Sequence, residues 1–168
     1  EKELPIKLEI TYSLNGEDVA LKDIIGKSGK VTIKLKYTNL DKHIVSINGL
    51  KEEMYTPFVI TAGTIISDEN NSNITVENGK VINNGSSNII VGIATPGLYE
   101  SMKIDKFKNM NTITISYDTK KFELGSIYSV ATPKLIESAD LNIFNKINTV
   151  YASVDKLQSS IDELEKGS

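Results

Sequence analysis

Several stretches of the 168-residue chain carry residue types that could do chemistry. Gly26-Lys27-Ser28-Gly29 ends like a phosphate-binding loop, where backbone N–H groups and a lysine hold phosphate oxygens. Such a loop needs another glycine five residues before Gly26, where Leu21 stands, and a helix after it whose N-terminus faces the phosphates. The residues after Gly29 alternate instead, with Val31, Ile33, Leu35 and Tyr37 apolar and Lys30, Thr32, Lys34, Lys36 and Thr38 polar. A period of two belongs to a half-buried strand, and the nucleotide reading fails on both criteria.

The segment Ser67 to Asn73, SDENNSN, clusters oxygen ligands suited to calcium. An EF-hand would place glycine at Asn73 and a bidentate glutamate at Gly79, and neither is present. A solvated loop is expected, with calcium in a non-EF loop as the alternative. His43 stands alone, so a metal or catalytic centre there would have to recruit carboxylates from far along the chain. Glu52 and Glu53 are adjacent and would point to opposite faces of a strand, while Glu163 and Glu165 lie near the C-terminus. Glycoside hydrolysis needs two carboxyls about 5–9 Å apart across a cleft, and no serine sits in a Gly-x-Ser-x-Gly elbow. Tyr12, Tyr37, Tyr55, Phe58, Tyr99, Tyr117 and Phe122 mostly fall in strand patterns, and are read as core or cross-strand residues rather than a sugar-stacking platform. No catalytic, cofactor-binding or metal-ligating residue is therefore assigned, and the chain is expected not to be an enzyme.

Composition narrows the classes further. A hydrophobic fraction of 39% and a net charge of -3 fit a globular domain with a sizeable core. All 19 basic residues are lysine, so the bidentate guanidinium contacts that read phosphate and guanine are missing, and no nucleic-acid partner is expected. Without cysteine there is neither a disulfide framework nor a thiolate site. No apolar run approaches the roughly 18 residues of a membrane span. Glu1 in place of methionine, and the closing EKGS, are expected of a fragment or a processed form.

The elements that would position these residues are mostly strands. Leu4, Ile6, Leu8, Ile10, Tyr12 and Leu14 alternate with polar residues up to the Asn15-Gly16 turn signal. EDVALKDIIG can form a helical turn or a brief strand, closed by Gly26 as a C-cap. Further strands are expected in HIVSI, in PFVITAGTII with a bulge at Gly63, in NITVE, KVI, NIIVGIAT, NTITISY and SIYSVAT. Gly92, Pro96 and Gly97 are read as strand breaks at corners. About nine short strands at this spacing predict a mainly β domain over residues 1–137, an antiparallel β-sandwich, Ig-like or similar. Over 138–168 the pattern changes. Ile143, Ile147, Val150, Val154, Leu157, Ile161 and Leu164 are spaced alternately by four and three residues, a heptad seam. Ile147, Val154 and Ile161 take position a and Val150, Leu157 and Leu164 position d, which favours parallel two-stranded pairing. The expected element is a C-terminal helix that projects or pairs as the start of a coiled-coil stalk; packing back on the sandwich is the alternative.

LPIKLEITYSLNGEDV, GKSGKVTIKLKYTN, YTPFVITAGTII, NGKVINNGSSNIIVGIATPGL and FELGS together resemble the extracellular domain of a group of uncharacterised Firmicute, clostridial-type, cell-surface proteins. Members of that group have a signal peptide, a β-rich module, a long heptad region with repeated Leu-x-x-Gly and a membrane anchor. Leu164-Glu-Lys-Gly167 looks like the first such unit, and the tail is similar to the coiled-coil part of phage-infection-protein-like membrane proteins. The resemblance covers nearly the whole chain and brings no catalytic residues with it. It implies that Gly26-Lys27-Ser28-Gly29 is a turn feeding a strand, with Lys27 and Ser28 at an exposed tip. It further implies a non-enzymatic, extracellular structural or interaction domain of a membrane-anchored surface protein. Its partner would be a protein or the cell envelope, with homo-oligomers forming through the C-terminal helix and the membrane reached only by segments outside this chain. The alternative is a cell-wall glycan- or ligand-binding module with loop-bound calcium.

Overall fold

The computed structural model describes residues 4–132 and 155–164, together with 152 and 166. This part is mainly β, in antiparallel sheets, with a C-terminal helix. The first strand, β1 (Ile6–Leu14), turns through Asn15-Gly16 into β2 (Glu17–Val19), and one helical turn, α1 (Leu21–Ile24), leads to β3 (Gly29–Asn39). A hairpin follows, β4 (Lys42–Ile47) and β5 (Leu50–Tyr55), then β6 (Val59–Ser67), β7 (Asn71–Glu77), β8 (Gly79–Asn83) and β9 (Ser87–Ala94). Helix α2 (Leu98–Met102) and a 3₁₀ turn (Asp105–Phe107) precede β10 (Thr112–Thr119) and β11 (Ile127–Thr132), and α3 is helical over 155–164.

The larger sheet has five strands in the order β2-β1-β3-β10-β7, the smaller has four in the order β11-β6-β9-β8, and the β4-β5 hairpin stands apart. Neither sheet closes on itself. One core joins them: Val31, Ile33, Leu35 and Tyr37 of β3 and Ile113, Ile115 and Tyr117 of β10 meet Ile60, Ala62 and Ile66 of β6 and Ile90 of β9. These are the inward positions of each alternating pattern, which is why period-two sequences in two layers generate a shared interior. The four β3 residues are at most 5% exposed. On the outer side of the smaller sheet a second cluster forms where α2 and the 3₁₀ turn bring Leu98 and Phe107 onto Val59 and Ile93.

Turn chemistry sets the connections. In β1-β2 and β4-β5 the pairs Leu14↔Glu17 and Ile47↔Leu50 leave two-residue loops, and Asn15-Gly16 and Asn48-Gly49 both take the positive φ that such hairpins demand. Asn78-Gly79 carries the same dipeptide to another use. It passes from the edge of one sheet to the edge of the other, with the Asn78 amide donating to the carbonyls of Asn109 and Thr112. The buried Asn39 amide donates to Thr56 O at 2.7 Å and Pro96 O at 3.1 Å, tying the base of the hairpin to the end of β9.

Several expectations change in detail. Among the described residues there are eleven strands rather than about nine, because β2 and β5 also form. EDVALKDIIG becomes both a brief strand and a helical turn, with Gly26 at φ +79° just past its end. Gly63 makes no bulge: β6 keeps an unbroken register through it with both β9 and β11, and the register shift lies in β10 between Ser116 and Asp118. Gly92 does not break a strand but sits inside β9, where a Cβ would meet Ile113 Cγ2 at 2.6 Å. Its lack of a side chain makes room for a core residue of the facing sheet.

Helix α3 lies against β8, so over 155–164 it packs back on the sheet, the alternative to a projecting helix. Lys80 Nζ is 3.4 Å from Asp155 Oδ1, and the Gln158 carboxamide takes both backbone groups of Asn83, accepting from its N–H at 2.9 Å and donating to its carbonyl at 3.0 Å. Leu157 and Leu164, both at position d, remain 47% and 74% exposed. The expected boundary at 137/138, and Ile143, Ile147, Val150, Val154, Glu165 and Gly167, lie outside the described residues.

Candidate interaction surface

The residues that could have done chemistry are kept apart by the fold. Gly26-Lys27-Ser28-Gly29 is followed by β3, not by a helix. Its backbone is pinned on both sides by Phe122, whose carbonyl accepts from Gly26 N–H and whose N–H donates to Lys27 O, each at 2.8 Å. Lys27 and Ser28 are exposed, as a turn tip requires.

His43 is exposed on β4 opposite Met54. Glu52 and Glu53 occupy successive positions of β5 and so opposite faces; Glu53 pairs with Lys42, and this hydrogen bond holds the ammonium above its ordinary pKa. Asp68, the carboxylate that would lead a calcium loop, is engaged within the protein. One oxygen accepts from the buried Asn88 amide and the other from Asn83 Nδ2 at 3.2 Å. Asn71 donates to Ser67 O and Asn73 to Asp118, so the SDENNSN oxygens and amides serve mainly to knit loop to sheet. Among the described residues no group of three His, Cys, Asp or Glu side chains is placed to hold a metal ion.

Between the sheets, at one end, lies a cleft of about 200 Å³ with Ile33, Ile66, Tyr117 and Leu124 in its wall. Among the described residues Glu123 is the one carboxylate lining it, and its carboxylate lies 3.6 Å from the Lys121 ammonium. Tyr37, Phe58, Tyr117 and Phe122 are buried, and Tyr12 meets Phe122 edge-on at 6.2 Å between centroids. Burial pushes the Tyr117 phenol up to about 12, with Tyr12 adding to it. Tyr37 is also raised by burial, against the opposing effect of its 2.7 Å hydrogen bond with Ser129 Oγ. Tyr55 and Tyr99 are half-buried, with Lys42 and Lys103 near their rings.

Several large apolar side chains are exposed among the described residues. Ile44, Ile47 and Leu50 are exposed around the tip of the β4-β5 hairpin. Tyr128 and Val130 stand out from β11, with Ile65 on the paired strand β6. Leu157 and Leu164 line α3. The sequence signal for β11 was present in SIYSVAT, but nothing local marks it as an edge. No helix among the described residues is long and apolar enough to cross a membrane. No protein-family model, curated protein or solved structure matches the chain.

Proposed function

We propose that this chain is a non-enzymatic extracellular module of a bacterial membrane-anchored surface protein. In this reading the two sheets form a β-sandwich of Ig-like type and α3 begins a coiled-coil stalk. One observation supports the stalk: Leu157 and Leu164, one heptad apart, stay exposed even though Asp155 and Gln158 hold α3 to β8. An exposed leucine row on an otherwise docked helix is a seam without its partner. Binding of a protein or envelope partner, rather than turnover, suits a surface with scattered apolar patches and a cleft lined by one carboxylate. The calcium-dependent glycan reading has less support, because Asp68 already accepts from Asn83 and Asn88.

Protease shaving of intact cells tests the location. The domain should be lost from whole cells at a protease dose that spares cytoplasmic markers; protection until lysis would defeat the proposal. Sedimentation equilibrium tests the stalk. A chain continued by further heptads should associate more tightly than this one, since short helices pair marginally, and Leu157→Glu/Leu164→Glu should abolish that gain.

A further inference from the structure

Asn-Gly occurs four times in the chain, at Asn15-Gly16, Asn48-Gly49, Asn78-Gly79 and Asn84-Gly85. The dipeptide forms turns, but it is also chemically fragile. A glycine has no Cβ to shield its backbone nitrogen from the preceding carboxamide, and asparagine is a thermolabile residue. The fold treats the four pairs differently. Asn15 Oδ1 accepts from the Lys30 N–H at 2.9 Å. The Asn78 amide donates to Thr112 O at 2.8 Å and to Asn109 O at 3.1 Å, and Gly79 pairs with Gly92 in the β8-β9 ladder. Asn84 Oδ1 accepts from the N–H groups of Ser86 and Ser87 at 3.2 and 2.8 Å, and the Gly85 N–H donates to Asn83 Oδ1 at 2.8 Å.

Asn48 is the exception. Among the described residues its carboxamide makes no hydrogen bond, the Gly49 N–H makes none either, and both residues are exposed. Backbone conformation does not set it apart, because Asn15, Asn48 and Asn78 have φ of 53°, 52° and 58°. What differs is the freedom of the side chain to swing toward the next nitrogen. The setting adds to that freedom. The β4-β5 hairpin pairs with no third strand among the described residues, and a two-stranded ribbon opens readily at its tip.

We propose that Asn48 is a modification site, the place where the folded chain deamidates. The Gly49 nitrogen attacks Cγ of Asn48 and gives up its proton, the carboxamide nitrogen leaves as ammonia, and a succinimide ring closes. One water then opens the ring. Cleavage between the Gly49 nitrogen and Cγ yields aspartate. Cleavage between that nitrogen and the main-chain carbonyl carbon of Asn48 yields isoaspartate, with one extra carbon in the backbone. Asparagine and water thus become an acid and ammonia, with no oxidant, cofactor or second protein involved. The product sets a carboxylate between the exposed Ile47 and Leu50 and adds one negative charge to the formal -3 of the chain. Because ammonia is lost, the change runs one way, and a neutral apolar hairpin tip becomes anionic as the molecule ages.

Ageing the folded 168-residue chain in mildly alkaline buffer, followed by tryptic mapping, tests the proposal. Trypsin releases His43–Lys51, in which Asn48 is the only asparagine. That peptide should take on the mass of an amide-to-acid exchange and split into aspartate and isoaspartate forms. Peptides carrying Asn15, Asn78 and Asn84 should convert about tenfold more slowly or less, since each must first break hydrogen bonds that hold it. In denaturant the four rates should converge, because the protection comes from the fold. Asn48→Ser should keep the wild-type circular dichroism spectrum and lose the acidic species that ion exchange resolves from the aged wild type. An Asn48 that converts no faster than the other three in the folded chain would overturn the assignment. So would a preference for Asn48 that persists unchanged in denaturant, since neighbouring sequence rather than the free carboxamide would then set the order.

Discussion

β1 and β3 lie side by side with the same alternation of apolar and polar residues, and residue for residue they are paired. Their burial is nonetheless different. Inward residues of β3 are sealed between β1, β10 and the facing sheet, while Leu8 and Ile10 on the same face of β1 remain open to water. Alternation in sequence therefore specifies that a strand forms and which face is apolar. What covers that face depends on how many strands stand opposite, and that is a property of the whole topology.

Breaking the β3 side should have the largest effect. Ile33→Asp places a carboxylate in the shared core without a partner, at a cost of several kcal/mol, and should leave the chain unfolded by circular dichroism. A cooperative transition at the wild-type temperature would mean that the inward face of β3 is misassigned. Truncation should grade the contrast. Leu35→Ala should lose about 2–5 kcal/mol in urea denaturation, as buried leucines do. Ile10→Ala, its cross-strand neighbour, should lose clearly less, because Ile10 is 37% exposed where Leu35 is 1%. Equal losses would erase the distinction between the two strands.

The buried phenols give a pH-dependent version of the same contrast. Burial raises Tyr117 from 10.0 to about 12, so the folded state favours the neutral phenol. Its contribution is complete below pH 10 and fades as pH climbs toward 12, as the unfolded chain ionises first. Melting temperature should fall over that window, and Tyr117→Phe should fall less steeply. The smallest effect is expected at the turn tip, where Lys27→Ala should shift stability by no more than about 0.5 kcal/mol. The wild type should also show no saturable thermal shift with ATP or GTP.

Much of the strand inventory was legible because period-two alternation and Asn-Gly turns are local signals. β5 was not, since Lys51, Glu52 and Glu53 interrupt any apolar alternation in LKEEMY and the strand is held by its partner β4 instead. Gly63 and Gly92 were misread because a glycine's purpose depends on what approaches it across space, here nothing unusual for one and Ile113 for the other. The candidate ligand loop was misleading for a similar reason: the amides that occupy Asp68 come from Asn83 and Asn88, on other strands. Likewise, the heptad leucines were visible in sequence, but the docking of α3 on β8 rests on Gln158 and Asp155, residues outside the a and d positions. Edges and covers are long-range facts, which no local pattern specifies.

Backbone hydrogen exchange tests most directly the claim that β3 is a closed centre and β1 a more open neighbour. Amides of β3 should exchange slowly along the strand, since β1 and β10 pair with it on both sides and its inward side chains are sealed. Amides of β1 between Lys7 and Thr11 that point away from β3 should exchange faster, because among the described residues β2 pairs only with Tyr12, Ser13 and Leu14. Equal protection of these β1 amides and of β3 would contradict the account.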